Sequence, residues 1–159
     1  MAEYYISLDS QNGTQLDDSQ ANIEWDLGGR ALPRGAKMSL VQFNFNTSSA
    51  TGFSGQALNG VLIDSPFIGN KFKSFVSKTN DKPVQSCVLA CIPNETLLNT
   101  NATEKLSGSY EPYNLLDIHL PEHQEIYKLE LRLKDPDSLS PLTLNDDLDW
   151  SVLLKITLP

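Results

Sequence analysis

At 159 residues, with 12 Lys and Arg against 20 Asp and Glu, the chain is the size of one domain. Its formal charge of −8 has the wrong sign for neutralising nucleic-acid phosphates or an acidic membrane surface. An apolar fraction of 40% and a charged fraction of 20% are ordinary for a globular protein, and no run approaches the roughly 18 apolar residues of a membrane span.

The opening Met1-Ala2-Glu3-Tyr4-Tyr5 has neither a basic region nor a long apolar stretch, which sets the expectation of a native start without a secretory signal. Tyr4 to Leu8 reads as a first strand, with Tyr4, Ile6 and Leu8 on one face. Asp9 to Gln20 is a loop by composition. In Asn22 to Leu27, Ile23, Trp25 and Leu27 point in while Asn22, Glu24 and Asp26 point out, because side chains alternate along a strand. Gly28-Gly29 ends this strand, and Pro33-Arg34-Gly35 supplies the next turn. In Lys37 to Asn46 the apolar set changes face between Met38/Leu40 and Val41/Phe43/Phe45, which calls for a bulge or burial of both faces.

Val61 to Ile63 and Lys71 to Ser77 are weaker strands around a turn at Asp64-Ser65-Pro66. Val84 to Ile92 is a nearly continuous apolar run, as in a central strand. Pro93 to Pro112 is the longest non-periodic stretch, with a short helical turn at Glu95 to Leu98; loops of that length are uncommon unless they carry function. Leu115 to Leu120 is a strand stopped by Pro121. Two clear alternations follow: Tyr127, Leu129, Leu131 and Leu133 against Lys128, Glu130, Arg132 and Lys134, then Leu148, Trp150, Val152, Leu154, Ile156 and Leu158 on one face. Lys134 to Leu144 divides them. With eight or nine strands, no long helix, no repeat and no linker, residues 1–159 are expected to form one all-β domain. It is a β-sandwich of two antiparallel sheets, best matched by a single jelly roll and next by an immunoglobulin-like fold. The latter lacks its Cys…Trp…Cys spacing.

Little of this sequence points to catalysis. His119 and His123 are the only histidines, with Pro121 between them, and they read as surface residues; two imidazoles cannot supply a cupin-type metal centre. Gly52-Phe53-Ser54-Gly55 is not a nucleophile elbow. Cys87 and Cys91, four residues apart on a strand at about 3.3 Å per residue, sit roughly 13 Å apart, beyond disulfide reach, so two buried thiols are expected. The acidic runs Asp17-Asp18 and Asp146, Asp147 and Asp149 read as turns, although such carboxylates are also Ca²⁺-type ligands. The triplets at Asn12, Asn46, Asn94 and Asn101 read as Asn-rich loops. No enzyme activity, cofactor or metal is expected. The residues left for recognition are Phe53, Phe67, Phe72, Phe75, Tyr110 and Tyr113. Tyr110 and Tyr113 read either as a sugar-stacking or protein-binding patch or, as aromatics beside prolines more often do, as anchors of the loop on its own sandwich; the phenylalanines carry the same ambiguity, with some expected to be exposed in a monomer and covered in an assembly.

Taken in order, these features resemble the single jelly-roll penton (vertex, or minor capsid) proteins of the double-jelly-roll virus lineage. That lineage includes virophages, Polinton-like viruses, adenovirus-like viruses and tectiviruses. The likeness rests on Tyr4-Tyr5-Ile6-Ser7-Leu8 before a polar loop and Ile23-Glu24-Trp25-Asp26-Leu27, and on Ala36 to Phe43. It continues through Ser107-Gly108-Ser109-Tyr110-Glu111-Pro112-Tyr113 and the closing pair Leu129 to Asp135 and Trp150 to Ile156. It covers nearly the whole chain through strand patterns rather than an invariant motif. The chain departs from it at Pro136 to Pro141 and has no room for the outer insertion some relatives carry. The resemblance implies a structural capsid protein, made inside the host cell and placed in the virion. There it would form the homopentamer at icosahedral fivefold vertices and contact trimers of a double-jelly-roll major capsid protein and other minor capsid proteins. No direct nucleic-acid or integral membrane contact is implied, and Met1 to Asn22 holds no Lys or Arg for a genome-binding arm. The competing reading is a lectin-like or receptor-binding jelly roll, a viral spike or fibre head, suggested by the Tyr110–Tyr113 loop and the acidic turn.

Overall fold

The period-2 alternation becomes two antiparallel sheets facing each other across an apolar core. The computed structural model describes residues 2–17, 19–46, 60–66, 72–76, 83–93, 107–113, 115–136, 139–142 and 149–159; residues 72–76, 83–88, 93, 107 and 108 are described at the level of the backbone. Eleven strands lie among them: β1 Glu3–Asp9, β2 Thr14–Leu16, β3 Ser19–Asp26, β4 Lys37–Asn46, β5 Gly60–Ser65 and β6 Phe72–Val76. They continue with β7 Pro83–Pro93, β8 Ser107–Tyr110, β9 Ile118–His119, β10 Lys128–Lys134 and β11 Asp149–Thr157. One sheet runs β1-β11-β4-β8, with β9 also on β4; the other runs β2-β3-β10-β5-β7-β6. The main strands pass back and forth between the sheets along the chain, except that β5 and β7 share one sheet, and the last strand lies between the first and the fourth, which is the winding of a single jelly roll. The count exceeds nine because β2 and β6 are added edges, while β8 and β9 are two parts of one strand position.

The core confirms the inward sets read from the sequence. Ile23 and Trp25 of β3, Leu129, Leu131 and Leu133 of β10, and Trp150, Val152, Leu154 and Ile156 of β11 are all buried in one cluster. In β4, Met38, Leu40, Phe43 and Phe45 are all buried despite the break in their spacing. Leu153 pairs with Gln42 but Leu154 pairs with Leu40, so Val41 is the extra residue of a bulge that resets the alternation.

Several expectations are corrected. The Asp9–Gln20 segment is not simply a loop: it holds a 3₁₀ turn, Ser10–Asn12, then β2, and β3 already begins at Ser19. Its short polar residues hide the pairing because β2 has no buried face of its own. Asp64 and Ser65 are not a turn but the buried end of β5. Ser107–Tyr110 emerges as β8 from the stretch read as non-periodic, and the strand expected over Leu115–Leu120 shrinks to Ile118–His119. Tyr127 is 56% exposed instead of facing the core: it precedes the first ladder pair, Lys128 with Asp26, and its hydroxyl donates to Glu125 Oε2 at 2.7 Å. Asn22 and Lys134, placed on the solvent face, are buried. Cys91 is a free thiol and exposed rather than buried, and its pairing opposite Leu62 puts it on the outer face. The helical turn at Glu95–Leu98 falls outside the described residues.

The β1–β2 turn fits the core closely. A Cβ on Gly13 would clash with Ile23 Cγ2 and come within 2.9 Å of Trp25 Nε1. Gly13→Ala is therefore expected to cost about 1–3 kcal/mol, the usual range for overpacking a filled core, measured by thermal or denaturant unfolding. A cost below about 0.5 kcal/mol would mean the turn yields freely.

Candidate functional site

The seventh strand position carries the most unusual local geometry. Tyr110 of β8 pairs with Phe43, and Ile118 of β9 pairs with Met38. Between these pairs, the seven residues 111–117 answer to only four on β4, so the edge strand must loop outward. Three hydrogen bonds from two β4 side chains pin the loop's ends. Gln42 Nε2 donates to Ser109 Oγ at 2.9 Å and to Glu111 Oε1 at 3.2 Å, and Ser39 Oγ donates to Asp117 Oδ1 at 2.7 Å.

Pinned at both ends, the loop projects apolar side chains. Tyr113 is 99% exposed, and Leu115 and Leu116 are exposed beside it. Tyr110 behaves differently: it is half-buried and packs against the core. The two tyrosines read together from the sequence thus divide into an anchor and a projecting group. Beneath the loop, Leu40, Leu89, Ala90, Tyr110, Pro112 and Leu116 line an open groove of about 290 Å³, with Cys91 also on its wall. Partial burial in this apolar setting pushes the Cys91 thiol above its ordinary range, which makes it a poor nucleophile. Of the other recognition candidates, Phe53 and Phe67 lie outside the described residues, and Phe72 and Phe75 fall on the edge strand β6, described by its backbone.

A second polar feature lies on the outer face of the other sheet. Asp64 of β5 is fully buried and lies opposite Arg132 of β10. Arg132 donates to both its oxygens, Nε to Oδ1 at 3.0 Å and Nη2 to Oδ2 at 3.2 Å, and Lys134 Nζ lies 2.8 Å from Oδ2. A strand's outward face normally meets water, so sequence periodicity gave no signal for this buried cluster. The alternation places Arg132 and Lys134 correctly on one face but says nothing of what covers it.

Catalytic and metal chemistry gains no geometry from the histidines. His119 lies in β9 opposite Lys37, and both His119 and His123 are exposed. Among the described residues, no group of three or more His, Cys, Asp and Glu side chains is placed to hold a metal ion, and no helix is long and apolar enough to cross a membrane. Of the acidic runs, Asp17 is exposed and accepts from Asn22 Nδ2 at 3.4 Å, and Asp149 begins β11. Asp18, Asp146 and Asp147 fall outside the described residues. Among the described residues, the most distinctive surface features are the projecting apolar loop at 111–117 and the groove beneath it. No family model matches the chain, and no curated protein is significantly similar to it.

Proposed function

We propose that this chain is a structural capsid protein of the single jelly-roll penton type. It assembles as a homopentamer at a fivefold vertex and contacts major capsid protein trimers around it. The observation that carries this reading is the strand order, in which eight strand positions wind as a jelly roll and agree with the penton-like order of sequence features. Two further points support it. A ring with fivefold symmetry joins two different flanks of each subunit. A sandwich bounded by β1 and β2 on one side and by β6, β8 and β9 on the other offers such a pair. The loop at 111–117 gives the second flank an apolar contact point in Tyr113 and Leu115, of the kind an interface covers.

Native mass spectrometry of the purified chain tests the reading, with a species at five times the chain mass as the expected result. Monomer at every concentration would overturn it, and binding to a glycan array would favour a receptor-binding role instead. Tyr113→Ser combined with Leu115→Ser is expected to abolish the pentamer. Because both side chains are exposed, stability should stay within about 0.5 kcal/mol per substitution, which a melting curve checks.

A further inference from the structure

Asn12 closes the 3₁₀ turn Ser10–Asn12 and is followed directly by Gly13. Asparagine is among the thermolabile residues, and a glycine after it leaves no side chain to block attack by the next main-chain nitrogen. Three observations open this pair to reaction. Asn12 is exposed, and its side chain has no hydrogen-bond partner among the described residues. The Gly13 amide donates to the Ser10 carbonyl at 3.4 Å, longer than the roughly 2.7–3.2 Å of an ordinary N–H···O bond, so little holds it in place. Gly13 also helps to line, with Ser10, Gln11, Gln15 and Gln20, an open polar cavity of about 250 Å³ that gives the main chain room to turn and admits water.

We propose that Asn12 is a self-modification site, converted through a cyclic imide to aspartate and isoaspartate, and that the isoaspartate form unlocks the β1–β2 turn. The Gly13 nitrogen attacks Asn12 Cγ. A Cγ–N bond forms, the Cγ–Nδ2 bond breaks, and the Gly13 amide proton leaves with Nδ2 as ammonia. Water then opens the five-membered ring at one of its two carbonyls. Opening at Cγ gives aspartate on an unchanged main chain. Opening at the main-chain carbonyl gives isoaspartate, in which the chain runs through Cβ and Cγ and is one methylene longer. Water is the only co-reactant, ammonia the only molecule released, and either product adds one negative charge.

The surroundings decide what the longer chain does. Before Asn12 the turn is tied to both sheets: Trp25 Nε1 donates to the Asp9 carbonyl at 2.7 Å, and Ser10 Oγ donates to Asp149 Oδ1 at 2.8 Å and accepts from the Trp150 amide at 3.0 Å. After it, Thr14 and Gln15 pair with Glu24 and Ile23 of β3. Between these anchors Gly13 has no slack, since even a Cβ there would clash with Ile23 Cγ2 and come within 2.9 Å of Trp25 Nε1. An extra methylene in the main chain therefore has to break one of the anchors. Trp25 touches the turn from both sides of the modified bond, so its indole is the natural reporter.

The test holds the folded, unsubstituted protein in mildly alkaline buffer at physiological temperature and follows it over days. Trypsin then releases Met1–Arg30, which carries Asn12, apart from Met38–Lys71, which carries the chain's other Asn-Gly pair, Asn59-Gly60. Fragmentation of the first peptide should place isoaspartate at position 12, in excess over aspartate. In step with it the melting temperature should fall by several degrees, and the Trp25 Nε1–H resonance should split into native and aged signals in ¹H–¹⁵N NMR spectra. Asn12→Gln, whose longer side chain closes a ring far more slowly, should show neither change. Asn12→Asp should melt like fresh protein, which assigns the loss to the lengthened main chain rather than to charge. Absence of isoaspartate at position 12 in the folded protein would overturn the proposal, as would a melting loss that persists in aged Asn12→Gln or that Asn12→Asp reproduces in full. Should a variant fail to fold, the aged wild-type sample decides alone: isoaspartate at position 12 with an unmoved Trp25 signal also overturns it.

Discussion

Replacing Asp64 by alanine is expected to destabilise the protein by about 3–5 kcal/mol, the usual cost of stranding a buried charge partner. For a domain of this size that is a fall in melting temperature of roughly 6–20 °C. The reason lies in the geometry of the cluster. Asp64 is fully buried and accepts a two-pronged bond from Arg132 as well as the Lys134 ammonium at 2.8 Å. Removing the carboxylate leaves two cations on the covered outer face of β10, and the Lys134 side chain is only 8% exposed. Asp64→Asn should cost nearly as much, because it preserves shape but not charge. The decisive comparison is a variant in which all three residues become apolar, Asp64→Leu with Arg132→Met and Lys134→Met. Such a replacement removes the desolvation cost together with the attraction, so it should recover most of the loss. If the triple variant is as unstable as Asp64→Ala, packing rather than charge holds this face together.

The second large effect is expected at Trp150. Its ring is among the largest fully buried side chains, set edge-on to Trp25 at 5.6 Å and tilted on Phe43 at 6.2 Å. Trp150→Ala should cost about 3–5 kcal/mol from lost transfer energy and the cavity left behind. Trp150→Phe separates the contributions. It keeps an aromatic ring against Phe43 but loses the bond from Nε1 to the Gln20 carbonyl, so a net loss of about 1–2 kcal/mol is expected from the missing donor and the smaller ring. Urea unfolding of the two variants measures both values. Equal losses would show that the hydrogen bond, not the ring, is what β11 contributes at this point.

Much of the fold was legible because one face of each main strand is buried, and burial writes period 2 into the sequence. The face switch in β4 called for either a bulge or burial of both faces, and the pairing with β11 settles it as a bulge at Val41. Legibility failed where that coupling is absent. β2 and β8 are short strands at or near sheet edges, so Thr14–Leu16 and Ser107–Tyr110 carry no alternation to read. Lys134 and Asp64 failed for the opposite reason: both faces of β5 are covered, so a residue type that normally signals solvent marks a buried ion cluster. The Tyr110–Tyr113 loop stood out through composition, aromatics beside a proline. Which tyrosine anchors and which projects depends on a mismatch in strand lengths that appears only once β8 and β9 are both set against β4.

The place of β11 in its sheet also bears on the order in which the molecule can be built. Among the described residues, β1 pairs with β11 alone, and β11 in turn pairs with β4. Glu3 therefore waits for Thr157, with the rest of the chain in between, before the first strand has a neighbour. Until β11 is made, β1 lacks its ladder partner and its backbone groups bond to water. Closing so long a loop makes folding slow, and the waiting edge is open to pairing with another chain. The acidic residues Glu3 and Asp9 at either end of β1, with no Lys or Arg until Arg30, give that exposed strand a like-charge guard against meeting its own kind.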